Sequence, residues 1–95
     1  MVRKKAVIKN KAGIHVRPTG VIINSVKNIN ASIVVRAKGM ESDLKDHVSL
    51  LAMGLLQGDT VEIIVSGDNE EEVGEKIKEL FEKKYDFPPR SEVQP

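Results

Sequence analysis

The chain has 95 residues, no cysteine and a formal net charge of only +1. That length points to one domain with a single modest core, and the lack of cysteine excludes disulfides and thiolate metal sites. No apolar run approaches the roughly 20 residues of a membrane span, and no apolar stretch of signal-peptide type follows the basic N-terminus. A cytoplasmic location without direct membrane insertion is therefore expected.

Residues 2–9 alternate well enough for a strand, with Val7 and Ile8 its strongest formers. Asn10 and Gly13 punctuate a loop over 10–15. A helix is expected over 16–28. Pro18 falls in its first turn, where a missing N–H costs nothing, and Ile22, Val26 and Ile29 form its apolar stripe. Residues 31–37, ASIVVRA, are β-branched and read as a strand. Lys38-Gly39 is a turn, and residues 40–44 are a short polar strand.

Asp46 suits the N-cap of a short helix over 47–53. Gly54 closes that helix, Gly58-Asp59 turns, and TVEIIVS (60–66) is the last strand. A final helix follows, capped by Asp68 or Asn69. Glu70, Glu71 and Glu72 lie in its first turn and Lys83 and Lys84 in its last, a distribution that complements the helix dipole. Val73, Ile77, Leu80, Phe81 and the stem of Lys84 are expected to face inward. The order βαββαβα with amphipathic elements gives an α+β class, with a split strand arrangement.

Charge is distributed unevenly. Residues 1–38 hold nine Lys or Arg and no acid, while all fourteen acids follow. A positive face of this kind favours a phosphate or an acidic protein partner. Nucleic acid is disfavoured, because Phe81, Tyr85 and Phe87 all lie in the acidic half, away from the basic residues a stacking platform would need.

The chemistry concentrates in Gly13-Ile14-His15-Val16-Arg17-Pro18. His15 lies where a glycine loop meets a helix N-terminus, a ready anion site. With His15 as N-cap, the backbone N–H groups of Val16 and Arg17 are placed to bind phosphate, and the Arg17 guanidinium can pair with its oxygens. A neutral imidazole is a nucleophile, and imidazoles ordinarily titrate near 6.5. From these residues alone, a phosphoryl-accepting histidine and a histidine that merely precedes a helix both remain open.

The segment GIHVRPTG, at this distance from the N-terminus, closely resembles the active-site segment of the HPr family. HPr proteins are the histidine-containing phosphocarriers of the bacterial phosphoenolpyruvate-dependent sugar phosphotransferase system. KGMESDLKDHVSLLAMGLLQGDTVEIIVSG resembles the family's second half, and the likeness covers roughly residues 2–84. It implies an open-faced β-sandwich, a four-stranded antiparallel sheet with three helices on one face. The domain would span residues 1–86, with a flexible tail over 87–95.

By the same resemblance, His15 is phosphorylated through Nδ1 and Arg17 assists. Enzyme I supplies the phosphoryl group from phosphoenolpyruvate, and sugar-specific enzyme IIA domains receive it. No metal or other cofactor is implied. The chain would be a monomeric transfer component acting through a covalent phosphohistidine, not a stand-alone enzyme. The positions matching the family's docking surface are Val16, Gly20, Asn24, Lys27, His47, Val48 and Leu51. Ordinary core packing is the competing explanation for Val48 and Leu51. His47 lacks the glycine loop and adjacent arginine of a phosphoryl site, and no carboxylate pattern supports a His15–His47 metal pair.

Asp46 departs from the family. Many members carry a serine there that a dedicated kinase phosphorylates, and this chain has no hydroxyl at that position. Asp46 brings about one negative charge where phosphoserine brings nearly two. Ser42 and Ser49 are the neighbouring hydroxyls. Val16, Thr19 and Gly20 also differ from the small residues commonest after the histidine. Alternatives of other kinds are a regulatory paralogue that signals by docking and a non-catalytic α+β interaction domain, which fold alone would not separate.

Overall fold

Four strands and three helices follow one another in the expected order: β1 (Val2–Val7), α1 (Val16–Val26), β2 (Ala31–Ala37), β3 (Met40–Asp43), α2 (His47–Ala52), β4 (Thr60–Gly67) and α3 (Glu70–Glu82). The computed structural model describes residues 1–85; the end of the expected domain at 86 and the expected tail over 87–95 lie outside the described residues.

The sheet order is β1-β4-β2-β3, with every neighbouring pair antiparallel. The last strand in sequence thus lies between the first two, because the β1-α1-β2 crossover leaves open a position that β4 later fills. Alternation decides the faces. Ala6, Ile33, Val35, Val61, Ile63 and Val65 are buried and meet Ile22, Val26, Leu50, Ile77 and Phe81 from the helices in one core. The opposite face carries a row of alternating charge across all four strands. Lys5 lies opposite Glu62, Glu62 opposite Arg36, and Arg36 opposite Glu41. Opposite charges at facing positions support the register.

Lys4 is the exception on the helix side of β1. Its stem passes beside Gly74, where an added Cβ would lie 3.1 Å from Lys4 Cε. Its ammonium reaches Glu71 at 3.4 Å and Glu75 at 3.3 Å.

Several element ends differ from expectation. β1 stops at Val7, not residue 9, because the Ile8 peptide bonds to a turn and not to the strand ladder. Its N–H donates to Asp59 O and its carbonyl accepts from Gly58 N, both at 2.8 Å. α1 stops at Val26, not residue 28. The chain tightens there, with Ile29 N donating to Val26 O, so Ile29 packs on the core from beyond the helix. α3 ends at Glu82, so neither lysine lies in its last turn. Lys83 is extended at the C-cap, and Lys84 is exposed instead of facing inward. Lys83 Nζ instead sits 5.6 Å from the ring centre of Tyr85. Asn69, not Asp68, is the N-cap of α3, in a left-handed conformation (φ 57°) and without a side-chain capping bond. Asn tolerates that region better than most residues.

Stability is expected to decline at alkaline pH for two reasons acting together. The carboxylates of Glu75 and Glu71 raise the Lys4 ammonium above its ordinary 10.5. That pairing contributes fully below the unfolded value and is lost as pH rises through the folded one. Burial pushes the Tyr85 phenol up to about 12. The unfolded chain therefore ionises this tyrosine first, and stability falls between its ordinary 10.0 and about 12. Urea midpoints taken from about pH 8 to about pH 11 should fall; a flat profile would contradict both assignments.

Candidate functional site

The loop before α1 is held from several directions. Gly13 has φ +74°, a conformation that glycine adopts without a Cβ penalty. An added Cβ would lie 2.3 Å from the carbonyl oxygen of Leu55 and 3.1 Å from Leu56 Cα. That same Leu55 oxygen accepts the N–H of Ile14 at 2.9 Å. Ile14 is buried and anchors the loop to the core. The loop over 55–59 is itself fixed. Asp59 accepts from Leu56 N at 2.8 Å and pairs with Lys38 Nζ at 2.7 Å, and Lys38 Nζ also reaches Gly54 O. The lysine holds the Asp59 carboxyl below its usual range, aided by the Leu56 N–H.

On this support, His15 is the N-cap of α1. Its backbone is extended and its carbonyl accepts the first helical hydrogen bond, from Thr19 N at 3.0 Å. The imidazole makes no capping bond and is half-buried. Val16, Arg17 and Pro18 form the first turn, so its N–H groups belong to Val16 and Arg17. No acidic side chain lies in this turn. The arrangement sets an imidazole at the positive end of an eleven-residue helix whose first turn contains Arg17, a combination suited to phosphate.

The sequence-expected docking positions fall on two helices that touch each other, α1 and α2. Pro18, Thr19, Ile22, Ile23 and Val26 form the buried face of α1. Val16, Gly20 and Asn24 follow at intervals of four on another face, with Lys27 just past the helix end. Val16, Asn24 and Lys27 are exposed and Gly20 is half-buried. On α2, His47 is exposed, and Val48 and Leu51 are 75% and 42% accessible. Core packing therefore explains neither apolar side chain; Leu50 alone turns inward from this helix.

Asp46 caps α2, its Oδ1 accepting from Val48 N at 3.0 Å and Ser49 N at 3.4 Å. Asp46→Ala should destabilise the protein by about 1 kcal/mol, measurable by urea unfolding; Asp46→Asn should cost little. Ser42 is buried, its hydroxyl 2.7 Å from that of Ser49. This pair ties β3 to α2 and holds the Ser42 hydroxyl in the interior.

Two residues gain importance that sequence patterns do not mark. Leu56 is 60% exposed beside the backbone of Gly13, which lies two residues before His15 in the loop. The apolar pair Leu55-Leu56 before a turn carries no sign that one member points outward. Asn10, which looks like loop punctuation, is fully buried and engages both ends of its side-chain amide. Nδ2 donates to Gly13 O at 2.7 Å, and Oδ1 accepts from Tyr85 N. A polar residue beside alternating apolar ones gave no hint of that burial.

Among the described residues, no helix is long and apolar enough to cross a membrane, and no group of three or more His, Asp or Glu is placed to hold a metal ion.

Comparison with known proteins agrees with this geometry. The family model described as "PTS HPr component phosphorylation site" matches residues 2–83. The phosphocarrier protein HPr of Mycoplasma pneumoniae is 31% identical over 84 residues, covering 87% of this chain and 96% of that protein. An HPr crystal structure from Thermoanaerobacter tengcongensis is 27% identical, with a TM-score of 0.79 over 85% of this chain and 91% of that one. HPr from Bacillus anthracis shares the fold at a TM-score of 0.81, with 20% identity over 85% of this chain and 96% of that one. The chain belongs to the HPr family of phosphocarriers of the phosphotransferase system.

Proposed function

We propose that this protein accepts a phosphoryl group from enzyme I on Nδ1 of His15 and passes it to sugar-specific enzyme IIA domains. The observation that carries the reading is His15 at the N-cap of α1, its ring untied by any capping bond, with Arg17 two residues on in the first turn. The neutral ring nitrogen contributes its lone pair to a new P–N bond. The donor's bond to phosphorus breaks, and its electron pair leaves with the donor group. Val16 and Arg17 N–H groups and the Arg17 guanidinium stabilise the charge on the three phosphoryl oxygens. That stabilisation must stay moderate, because a carrier that binds its cargo too tightly cannot release it.

No other cofactor is assigned to the carrier. It works as a cytoplasmic monomer, docking both partners through Val16, Gly20, Asn24, Lys27, His47, Val48 and Leu51. Apolar contacts beside exposed cations suit brief encounters with an acidic partner. Lys11, Arg17 and Lys27 are all exposed. The association rate with enzyme I should therefore fall several-fold between roughly 50 and 500 mM salt, followed by stopped-flow; an unchanged rate would remove the steering argument.

The reading is tested by incubating the protein with enzyme I and phosphoenolpyruvate and recording intact mass, then adding a purified sugar enzyme IIA domain. Gain of one phosphoryl group, followed by its loss to the acceptor, supports the carrier. Gain without onward transfer to any sugar acceptor would favour a regulatory paralogue.

A further inference from the structure

Asn10 lies five residues before His15, yet its side chain governs how the intervening loop is held. We infer that Asn10 is a positioning residue for phosphoryl transfer, fixing the Gly13 peptide and so the backbone from which His15 is presented. This rests on the phosphocarrier reading above.

The geometry is specific. The Asn10 carbonyl accepts the N–H of Gly13 at 2.9 Å, while Asn10 Nδ2 donates to the Gly13 carbonyl at 2.7 Å. One residue thus holds both polar groups of another. Gly13 is in a left-handed conformation against Leu55, and the next N–H, that of Ile14, is already committed to Leu55 O. Little freedom is left before His15. The remaining atom of the amide, Oδ1, accepts from the backbone of Tyr85, just past α3. Tyr85 is itself buried and donates its hydroxyl to Leu80 O. Asn10 therefore ties the loop to the end of the third helix, with its Nδ2 and its Oδ1 each engaged in a bond to the backbone.

Burial makes this exchange hard to replace. An aspartate would retain the acceptor for Tyr85 N but would turn a carboxylate oxygen toward the Gly13 carbonyl. An alanine would lose both bonds and leave buried partners unsatisfied. In either case the loop would relax, and displacement of a nucleophile by about 1 Å can slow a reaction by about 10²-fold.

The test uses the full chain, as Asn10→Asp and Asn10→Ala, with enzyme I and phosphoenolpyruvate. Initial rates across a range of carrier concentrations separate kcat from KM, and the folded fraction is checked under the same conditions. Ile33→Ala, in β2 opposite Val65 and at the other end of the sheet from the loop, serves as a core-weakened control. Both Asn10 variants should lose about 10-fold to 10²-fold in kcat with KM within about twofold, since the docking side chains lie on α1 and α2; the control should lose neither once folded. A folded Asn10 variant with wild-type kcat would overturn the inference, and so would a loss confined to KM.

If neither variant folds, the wild-type protein decides. Phosphorylation should shift the NMR signals of the Asn10 side-chain amide and the Tyr85 backbone amide, and unmoved signals would overturn the link. Failure of the carrier reading looks different: the wild type itself would then take up no phosphoryl group.

Discussion

His15→Ala is expected to reduce phosphoryl uptake from enzyme I to background while leaving the fold intact. The ring is half-buried and makes no capping bond, so its removal should change stability by less than about 1 kcal/mol. Removal of the nucleophile, by contrast, leaves no atom in the site to form the P–N bond. Arg17→Ala should be milder. It removes a stabilising charge and keeps the nucleophile, slowing transfer by about 10²-fold without abolishing it. His47→Ala should leave the phosphoryl stoichiometry unchanged, because His47 begins a six-residue helix with no glycine loop or adjacent arginine. Initial rates and intact mass for the three variants distinguish these outcomes. A phosphorylated His15→Ala protein would place the chemistry elsewhere.

Gly13→Ala is expected to be the most damaging single change in the loop. A left-handed conformation costs a non-glycine residue about 1–2 kcal/mol. At Gly13 the new Cβ also meets the Leu55 carbonyl oxygen at 2.3 Å, and crowding of this kind adds about 1–3 kcal/mol. The sum, about 2–5 kcal/mol, is a large part of the stability of a small domain. Relief of the clash requires the loop to move away from Leu55, which breaks the Ile14–Leu55 bond and displaces His15. Gly39→Ala is the natural comparison. Gly39 also has a positive φ, +75°, but an added Cβ there meets nothing within 4 Å. It should lose only the conformational part. Urea unfolding of the two variants should separate them by at least about 1 kcal/mol, and equal losses would contradict the close approach to Leu55.

The contrast between the two glycines also shows how far the residues alone can be read. The alternation of β2 and β4 is local, and so is the capping of α2 by Asp46; both follow from neighbouring residues. The placement of His15 at a helix start is local too, since Gly13 and Pro18 bracket it within six positions. What is not local is the reason Gly13 must be glycine, because Leu55 is distant in the chain. The same holds for Asn10, whose partner Tyr85 is 75 residues away. The ends of α1 and α3 differ from the composition pattern for a related reason. Ile29, Lys83 and Lys84 continue a helical pattern in composition. The chain instead turns at Val26 and extends at Lys83, where Tyr85 is held by burial and by hydrogen bonds to Leu80 and Asn10 that no periodicity encodes. Exposure of Leu51 is likewise not encoded locally; it follows from the rotation of α2, which buries only Leu50.

The most direct test of the central claim is to locate the phosphoryl group. The protein is phosphorylated with enzyme I and phosphoenolpyruvate, digested without exposure to acid, and mapped by tandem mass spectrometry. The account predicts a single modification, on the peptide containing His15, stable in base and lost in acid. A phosphoryl group on His47 or on a serine, or none at all with an active enzyme I, would contradict it.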